Sequence, residues 1–251
     1  MPALTLNGFA HYYEEAGDGP LLVMIHGAGS SSVSLRRHVD DLAKDFRVVA
    51  PDLRGMGRSE HVAELPPSAW VDDLAALFDH LGAPPALLYG VSLGSRVALR
   101  FAIDYPERVR ALILDGPIIA QDSAGHSATA QVFNVDSYSD ERKADMRRLH
   151  GDEWETVARN YLAIRNRPEL QEFYNLRASF PSVRCPVLIT RGDRDDANHK
   201  LAYTYELKQG LENAQLAITP GVGFSMAAGR PEAFQRLLRS FAAEVEAAAA
   251  S

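Results

Sequence analysis

Six short apolar runs, each bounded by glycine, proline or aspartate, constrain the fold of this chain most strongly. Stretches with helical periodicity separate most of them, and this alternation is typical of a mainly parallel sheet with helices on both faces. Strands that are buried on both faces consist of unbroken apolar residues. The runs are LLVMI (21–25), RVVA (47–50), ALLY (86–89), ALIL (111–114), PVLIT (186–190) and AQLAI (214–218).

Two helices are predicted with clear boundaries. The first follows Pro67, with Ser68 placed to cap it and Gly82 placed to end it. The second begins at Pro231 and continues into an alanine-rich tail. Both carry an apolar stripe at helical spacing, which indicates packing against a core.

The segment 117–181 interrupts this rhythm. It begins with small polar residues and continues as charged helical stretches, without a strand-like run. Ligands of open α/β sheets bind at the carboxyl ends of the strands, so we interpret this segment as a helical cap inserted over that edge. A length of 251 residues suits one α/β domain. We therefore predict a single domain over residues 1–251, with 117–181 as its insertion.

Composition argues against several classes of function. The net charge is −7 and no basic run is present, so we expect no nucleic acid partner. The single cysteine, Cys185, cannot form an internal disulfide, and no Cys/His pair has the spacing of zinc ligands. No signal-peptide pattern or membrane-spanning apolar run is found. We expect a cytoplasmic protein that binds a small-molecule substrate without a metal, a cofactor or a membrane; the oligomeric state stays open.

A serine follows the run ALLY in the sequence Gly90-Val91-Ser92-Leu93-Gly94, directly before a helical pattern. A tight turn from strand to helix needs small residues two positions to either side of the serine, because a Cβ there would collide with the backbone. The Ser92 hydroxyl would then project from the sheet edge. The amide of Leu93, at the start of the helix, would point at an anion forming on a substrate.

A second turn agrees with this interpretation. The run LLVMI leads into His26-Gly27-Ala28-Gly29, a flexible loop that can present the Ala28 amide as the other half of an oxyanion hole. An ordinary glycine-rich loop is the alternative. We place Gly27 and Gly29 with the substrate-binding residues, together with His26, which we expect to brace the loop rather than to transfer protons.

These features, taken together, resemble the α/β-hydrolase fold family over nearly the whole chain. The stretch Asp52 to Ser59 matches the D-x-R-G-x-G-x-S loop of that family, and the late CPVLITRGDRD and PGVG…RPEAF segments match its ending. The resemblance implies an eight-stranded, mostly parallel sheet with a helical cap. It also implies a catalytic triad in the chain order serine, acid, histidine.

The resemblance places the nucleophile on Ser92 and the acid on Asp195, with Asp193 as the nearby competitor and Asp115 as a less favoured site. The histidine position falls on Phe224. A phenyl ring cannot accept the serine proton or return it to a leaving group. Hydrolysis without the base should be slow, because losing this residue in a comparable enzyme costs about 10⁶-fold in kcat.

Other histidines offer only weak substitutes. His199 could serve if the loop after Asp195 folds back toward Ser92, and His126 could reach in from the insertion. Apart from His26, the other five lie in stretches typical of strand, helix surface or loop: His11, His38, His61, His80 and His150. We find none of these alternatives compelling.

The sequence therefore predicts a hydrolase of a small ester, thioester or lactone whose activity is weakened or redirected by Phe224. The alternative is a non-hydrolytic pocket, either a cofactor-free lyase or cyclase or a ligand-binding protein. Whether Phe224 is natural or introduced stays open, as does the substrate. Six aromatic residues of the insertion either line the pocket or pack in the core: Phe133, Tyr138, Trp154, Tyr161, Phe173 and Tyr174.

Overall fold

A computed structural model describes residues 4–120 and 122–249, so position 121 of the predicted insertion and the ends of the predicted domain, 1–3 and 250–251, lie outside it. Each of the six apolar runs forms a strand. The strands are β1 (Leu4–Leu6), β2 (Phe9–His11), β3 (Tyr13–Ala16), β4 (Leu21–Ile25), β5 (Arg47–Pro51), β6 (Ala86–Val91), β7 (Val109–Asp115), β8 (Val187–Gly192) and β9 (Ala214–Thr219).

Seven of these strands form one sheet in the order β3-β5-β4-β6-β7-β8-β9. Only β3 runs antiparallel to its neighbour in this sheet, and the other six strands are parallel. The strands β1 and β2 form a separate two-stranded hairpin. Asn7 and Gly8 both have positive φ at its turn, which lets such short strands fold back on each other. The family resemblance implies an eight-stranded sheet, whereas the main sheet described here has seven strands.

Helices connect the strands, and both predicted helices are present at the expected positions. Short 3-10 segments in the described residues accompany them, at Ser32–Leu35, Pro106–Arg108, Val135–Ser137, Gly151–Glu153 and Arg177–Ser182. The α-helices are α1 (Arg36–Leu42), α2 (Ala69–His80), α3 (Leu93–Asp104), α4 (Ser123–Val132), α5 (Asp140–His150), α6 (Trp154–Arg165), α7 (Pro168–Phe173), α8 (Leu201–Gly210), α9 (Met226–Gly229) and α10 (Pro231–Ala249).

The sheet separates two hydrophobic clusters, which explains why its strands are apolar throughout. Along β4, Leu22 and Met24 belong to the cluster that includes the buried residues of α1 and α10. The alternate residues Val23 and Ile25 belong to the cluster that includes α2 and α3. Successive side chains of a strand point to opposite faces, so a strand covered on both sides buries every residue.

The helices α4 to α7 lie between β7 and β8 in the chain, within the segment interpreted as an insertion. Their buried side chains, among them Trp154, Val157 and Tyr161, belong to the same cluster as α2 and α3. Within the described residues, every helix is too short or too polar to cross a lipid bilayer.

Candidate active site

Ser92 lies on the tight turn between β6 and α3 that the sequence predicts. Its backbone adopts φ 54° and ψ −115°, which is a strained conformation for a residue with a side chain. A Cβ at Gly90 would overlap the carbonyl of Gly94, and one at Gly94 would overlap the carbonyl of Ile25. Both glycines are therefore required for the turn that presents the Ser92 hydroxyl.

A histidine does reach this hydroxyl, so the prediction that Ser92 lacks an imidazole is wrong. His199 Nε2 lies 3.0 Å from Ser92 Oγ, and the imidazole is buried. The weakly favoured alternative, in which the loop after β8 folds back to the serine, is the arrangement observed. The sequence places Phe224 where the family has its histidine. The imidazole beside Ser92 comes instead from His199, on the loop after β8.

The carboxylate of Asp196 holds the other side of this imidazole. His199 Nδ1 lies 2.9 Å from both carboxylate oxygens. With Nδ1–H donating to Asp196, Nε2 is left as an acceptor for the Ser92 hydroxyl. Partial burial alone would raise the pKa of Asp196, but hydrogen bonds from His199 and from the amides of His199 and Asn198 lower it to about 2.

The predicted acid, Asp195, does not contact the histidine. Its carboxylate pairs with Arg191 at 2.9 Å and accepts a hydrogen bond from the Leu201 amide at 2.7 Å, at the start of α8. It therefore stabilises the ends of the loop rather than the imidazole, and the prediction of Asp195 as the triad acid is wrong for this geometry. The prediction differs from the structure by one residue, because the carboxylate that contacts His199 belongs to Asp196.

The two competing aspartates have other partners as well. Asp193 accepts a hydrogen bond from the Gly221 amide at 2.8 Å. Asp115 is fully buried and accepts hydrogen bonds from Thr190, Ser225 and the Met226 amide. Burial raises the pKa of Asp115, although these hydrogen bonds oppose the effect.

Phe224 occupies the family's histidine position and packs directly on His199. The two rings are nearly parallel, with an interplanar angle of 8° and centroids 3.7 Å apart. On its other side Phe224 meets Gly116, where φ is 52° and an added Cβ would overlap the phenyl ring. The phenyl ring thus fixes the plane of the imidazole that contacts Ser92.

The predicted oxyanion donors, Ala28 and Leu93, both line the cavity that contains Ser92. Leu93 is the first residue of α3, so its N–H has no acceptor within the helix. An added Cβ on Gly27 would lie 3.4 Å from Ser92 Cβ, which places this turn against the serine. Ala28 and Leu93 therefore both lie in the part of the cavity next to Ser92, where the oxyanion hole is predicted.

Three residues expected to bind substrate lie outside the cavity lining. His26 is completely buried, and its Nε2 accepts a hydrogen bond from the Leu53 amide at 3.0 Å, so it braces the loop. Desolvation lowers the pKa of His26, which keeps the ring neutral. Gly29 packs against Phe133. Neither His26, Gly27 nor Gly29 is among the residues that line the cavity.

The cavity over Ser92 has a volume of about 380 Å³ and a mainly apolar lining. Its lining residues follow the carboxyl ends of β4, β6, β7, β8 and β9, and others belong to α4 and α6. Of the six aromatic residues considered in the insertion, Phe133, Tyr161 and Tyr174 line it, whereas Tyr138 stacks on Trp154 and Phe173 packs edge-on against Tyr174. Its polar lining includes Arg96 and Arg165.

No set of three or more His, Cys, Asp or Glu side chains in residues 4–120 and 122–249 is placed to hold a metal ion. His126 lies on α4 and is not among the residues that line the cavity. The sequence signal for His199 is the spacing Asp196-x-x-His199 in the segment after β8. This spacing allows a carboxylate and an imidazole to meet within one loop.

Comparison with known proteins identifies the fold family. A family model described as the alpha/beta hydrolase fold matches residues 20–150. The chain is 41% identical over 107 residues to a 2-hydroxymuconate semialdehyde hydrolase of Pseudomonas sp. (strain CF600), a match that spans 41% of this chain but only 38% of that enzyme. It is 27% identical over 269 residues to a 2-hydroxy-6-oxo-6-phenylhexa-2,4-dienoate hydrolase of Comamonas testosteroni, covering 94% of this chain and 92% of the relative.

The fold also matches a solved structure of a thermophilic esterase from Thermogutta terrifontis. The TM-score is 0.77 at 23% identity, and the match covers 97% of each chain. The seven-stranded sheet, the strained serine turn between β6 and α3 and the match over residues 20–150 lead to one conclusion. This chain belongs to the α/β-hydrolase fold family.

Proposed function

We propose that this protein is a serine hydrolase that acts on a small ester, thioester or lactone. Ser92 is the nucleophile, His199 is the general base, and Asp196 orients the imidazole. The observation that carries the proposal is the 3.0 Å contact between His199 Nε2 and Ser92 Oγ. This distance lies within the range of a productive contact between nucleophile and base.

In the first half of the reaction, His199 takes the Ser92 proton while Oγ attacks the substrate carbonyl. The carbonyl π electrons move onto oxygen, and the amides of Ala28 and Leu93 stabilise the resulting oxyanion. When the tetrahedral intermediate collapses, His199 gives its proton to the leaving oxygen or sulfur. The acyl group then remains on Ser92.

In the second half, His199 removes a proton from water as the water oxygen attacks the acyl carbonyl. The new intermediate collapses to release the acid, and Ser92 Oγ recovers its proton from His199. The carboxylate of Asp196 stabilises the imidazolium in both halves. Its pKa of about 2 keeps it ionised throughout the neutral range.

Phe224 is a positioning residue in this account. Its face lies against the His199 ring at 3.7 Å, and an aromatic face attracts a cation placed over it. The stack therefore holds the ring plane and favours the imidazolium that forms when Ser92 loses its proton. The slow hydrolysis expected from a missing base does not follow once His199 supplies that base.

A second candidate is hydrolysis of a carbon–carbon bond, favoured by the names of the two relatives described above. The same serine, base and oxyanion donors would serve, and a carbanion would replace the alkoxide as leaving group. The non-hydrolytic alternative loses its main support, because it rested on the absence of a base beside Ser92. A small-molecule substrate and a cytoplasmic location remain part of the proposal.

The direct test is labelling with a fluorophosphonate, together with release of 4-nitrophenol from 4-nitrophenyl acetate. The parent protein should be labelled on Ser92 and should hydrolyse the ester. Ser92→Ala should show neither, whereas Ser137→Ala should match the parent, because its exposed hydroxyl bonds only locally to the Asn134 carbonyl. If the parent protein is not labelled and is inactive on acetate, butyrate and thioester substrates, the proposal that it is a serine hydrolase is refuted.

A further inference from the structure

Three buried polar atoms, each on a residue that lines the cavity, have no hydrogen-bond partner. They are Arg96 Nε, Arg165 Nη1 and the Tyr174 hydroxyl. The side chains belong to residues that are 8%, 4% and 1% exposed, and all three residues line the cavity over Ser92. Buried donors are normally satisfied in folded proteins, so three in one cavity indicate a ligand that supplies the acceptors.

The two arginines have aromatic neighbours, with Arg96 over the Tyr174 ring at 5.3 Å and Arg165 beside Tyr161, but no acidic partner in the part of the chain that the structure describes. Among residues 4–120 and 122–249, neither Arg96 nor Arg165 forms an ion pair with a carboxylate. The hydrogen bond of Arg96 at 3.1 Å goes to the neutral Tyr174 carbonyl. A buried charge without a partner is costly, and the cost is higher for two cations that repel each other.

Electrostatics within the site agree with this description. Burial is the main reason that the pKa of Arg96 falls to about 10, and the nearby charge of Arg165 contributes a smaller part of the same shift. Arg96 nevertheless remains a cation at neutral pH. A negatively charged ligand would relieve both the desolvation of the guanidinium groups and their mutual repulsion.

The three residues come from different elements that meet around the cavity. Arg96 lies on α3, four residues after Ser92, so it is one helical turn from the serine. Arg165 is the last residue of α6, and Tyr174 follows the end of α7. A molecule that reaches from Ser92 to these groups would contact both the core helix and the predicted insertion.

We infer that Arg96, Arg165 and Tyr174 bind a carboxylate carried by the substrate, at a distance from the carbonyl that Ser92 attacks. This inference rests on the proposed function and narrows it to substrates with an acidic group. Guanidinium groups offer paired N–H donors that match the two oxygens of a carboxylate, and the tyrosine hydroxyl adds a third donor. The apolar remainder of the cavity fits a short hydrocarbon chain between the two polar ends.

The first experiment compares charged and neutral substrates of the same shape. Mono-4-nitrophenyl glutarate and adipate are measured against the corresponding terminal amides, with the spontaneous reaction of each subtracted. The parent should prefer the carboxylate over the amide by about 10- to 100-fold in kcat/KM, the range expected for hydrogen bonds to a charged group. A preference within threefold of unity in an active protein would overturn the inference.

Substitutions then test which residues cause the preference for a carboxylate substrate. Arg165→Gln and Arg96→Gln should each lower the carboxylate-to-amide ratio of kcat/KM by at least tenfold. The matched controls are Arg159→Gln on α6, whose guanidinium pairs with Asp136 and Glu155, and Arg100→Gln on α3, which pairs with Asp104. Both controls should keep the parental ratio. An unchanged ratio in Arg165→Gln would overturn the inference even if Arg96→Gln fails to fold.

A binding measurement separates this inference from the proposed function. Calorimetry with glutarate and with glutaramide on Ser92→Ala requires no hydrolysis. Binding of glutarate at least tenfold tighter than glutaramide, lost in Ser92→Ala/Arg165→Gln, supports the carboxylate site even if every ester proves inert. Equal affinity for the two ligands overturns the carboxylate site while leaving the serine hydrolase intact.

Discussion

The loops that follow β8 and β9, residues 193–200 and 220–225, lie side by side at the sheet edge and contribute in different ways. The β8 loop carries Asp196 and His199, which form a hydrogen-bonded pair aimed at Ser92. The β9 loop carries Phe224, which has no proton to exchange and packs on His199. In the family pattern the histidine stands on the β9 loop, whereas here the imidazole beside Ser92 and its carboxylate partner come from one loop, the β8 loop.

The imidazole beside Ser92 thus comes from a loop other than the one that carries it in the family pattern. The loops are connected by hydrogen bonds from the Gly192 amide to the Phe224 carbonyl at 3.3 Å and from the Gly221 amide to Asp193 at 2.8 Å. The two loops therefore form one packed unit. Within such a unit, either loop can place a ring nitrogen beside the serine.

The largest expected change in kcat comes from substitution of one of the two neighbouring aspartates of the β8 loop, Asp195 and Asp196. Asp196→Asn should lower kcat by about 10³- to 10⁴-fold, because an amide cannot stabilise the imidazolium and selects the wrong tautomer. Asp195→Asn should lower kcat less than about tenfold and reduce the melting temperature, since its carboxylate pairs with Arg191 and the start of α8. Steady-state kinetics and thermal melts on both variants measure this contrast.

A reversed order, with Asp195→Asn the more damaging to kcat, would assign the acid to the residue predicted from the family pattern. The same experiment therefore distinguishes the two neighbouring carboxylates without any change in net charge between variants.

A smaller effect is expected from restoring the family's residue on the β9 loop. Phe224→His should give no gain in kcat/KM and a loss of up to about tenfold, because the site already has its base and the new ring loses part of the stack on His199. Phe224→Leu serves as the control that removes the aromatic face without adding a titratable group. A gain of 100-fold or more in Phe224→His would show that the β9 loop is the productive place for the base.

The smallest expected effect is on the ionisation of two aspartates. Asp196 belongs to the β8 loop, and Asp115 accepts hydrogen bonds from Ser225 and Met226 at the end of the β9 loop. The pKa of Asp196 is lowered to about 2 from its ordinary 3.8, so its contribution to stability is present above pH 4 and is lost as pH falls toward 2. Burial raises the pKa of Asp115, which anchors Ser225 and Met226 of the β9 side, so its contribution is lost as pH rises through that raised pKa.

Carboxyl ¹³C NMR at pH 3 should therefore find Asp196 ionised and Asp115 protonated. His199→Ala should raise the pKa of Asp196, because it removes the imidazole donor, and should leave that of Asp115 unchanged. Equal titration of both carboxylates in the parent would contradict the hydrogen bonding described for the β8 loop.

Much of the fold could be predicted because its signals are local. A strand buried on two faces must be apolar at every position, as in β4, and the turn at Ser92 needs glycines at fixed offsets, as at Gly90 and Gly94. Such requirements are visible in a few adjacent letters. They hold whatever the rest of the chain does.

The base and the acid could not be predicted with the same certainty, because their roles depend on how one loop folds. Three aspartates occur within four residues of this loop, and the conformation of the loop decides the partner of each: Asp193 bonds to Gly221, Asp195 to Arg191 and Asp196 to His199. The partner of His199 is 107 positions away in the chain. The buried Arg191 side chain, which helps to hold the loop, resembles an ordinary charged residue in the sequence.

The most direct test of the account is the rate at which a fluorophosphonate modifies Ser92 in His199→Ala. The account predicts a fall of about 10⁴-fold or more relative to the parent, since serine without its base is a poor nucleophile. His126→Ala, which changes a histidine outside the cavity lining, should react at the parental rate. Modification of His199→Ala at a rate close to that of the parent would contradict the assignment of His199 as the base.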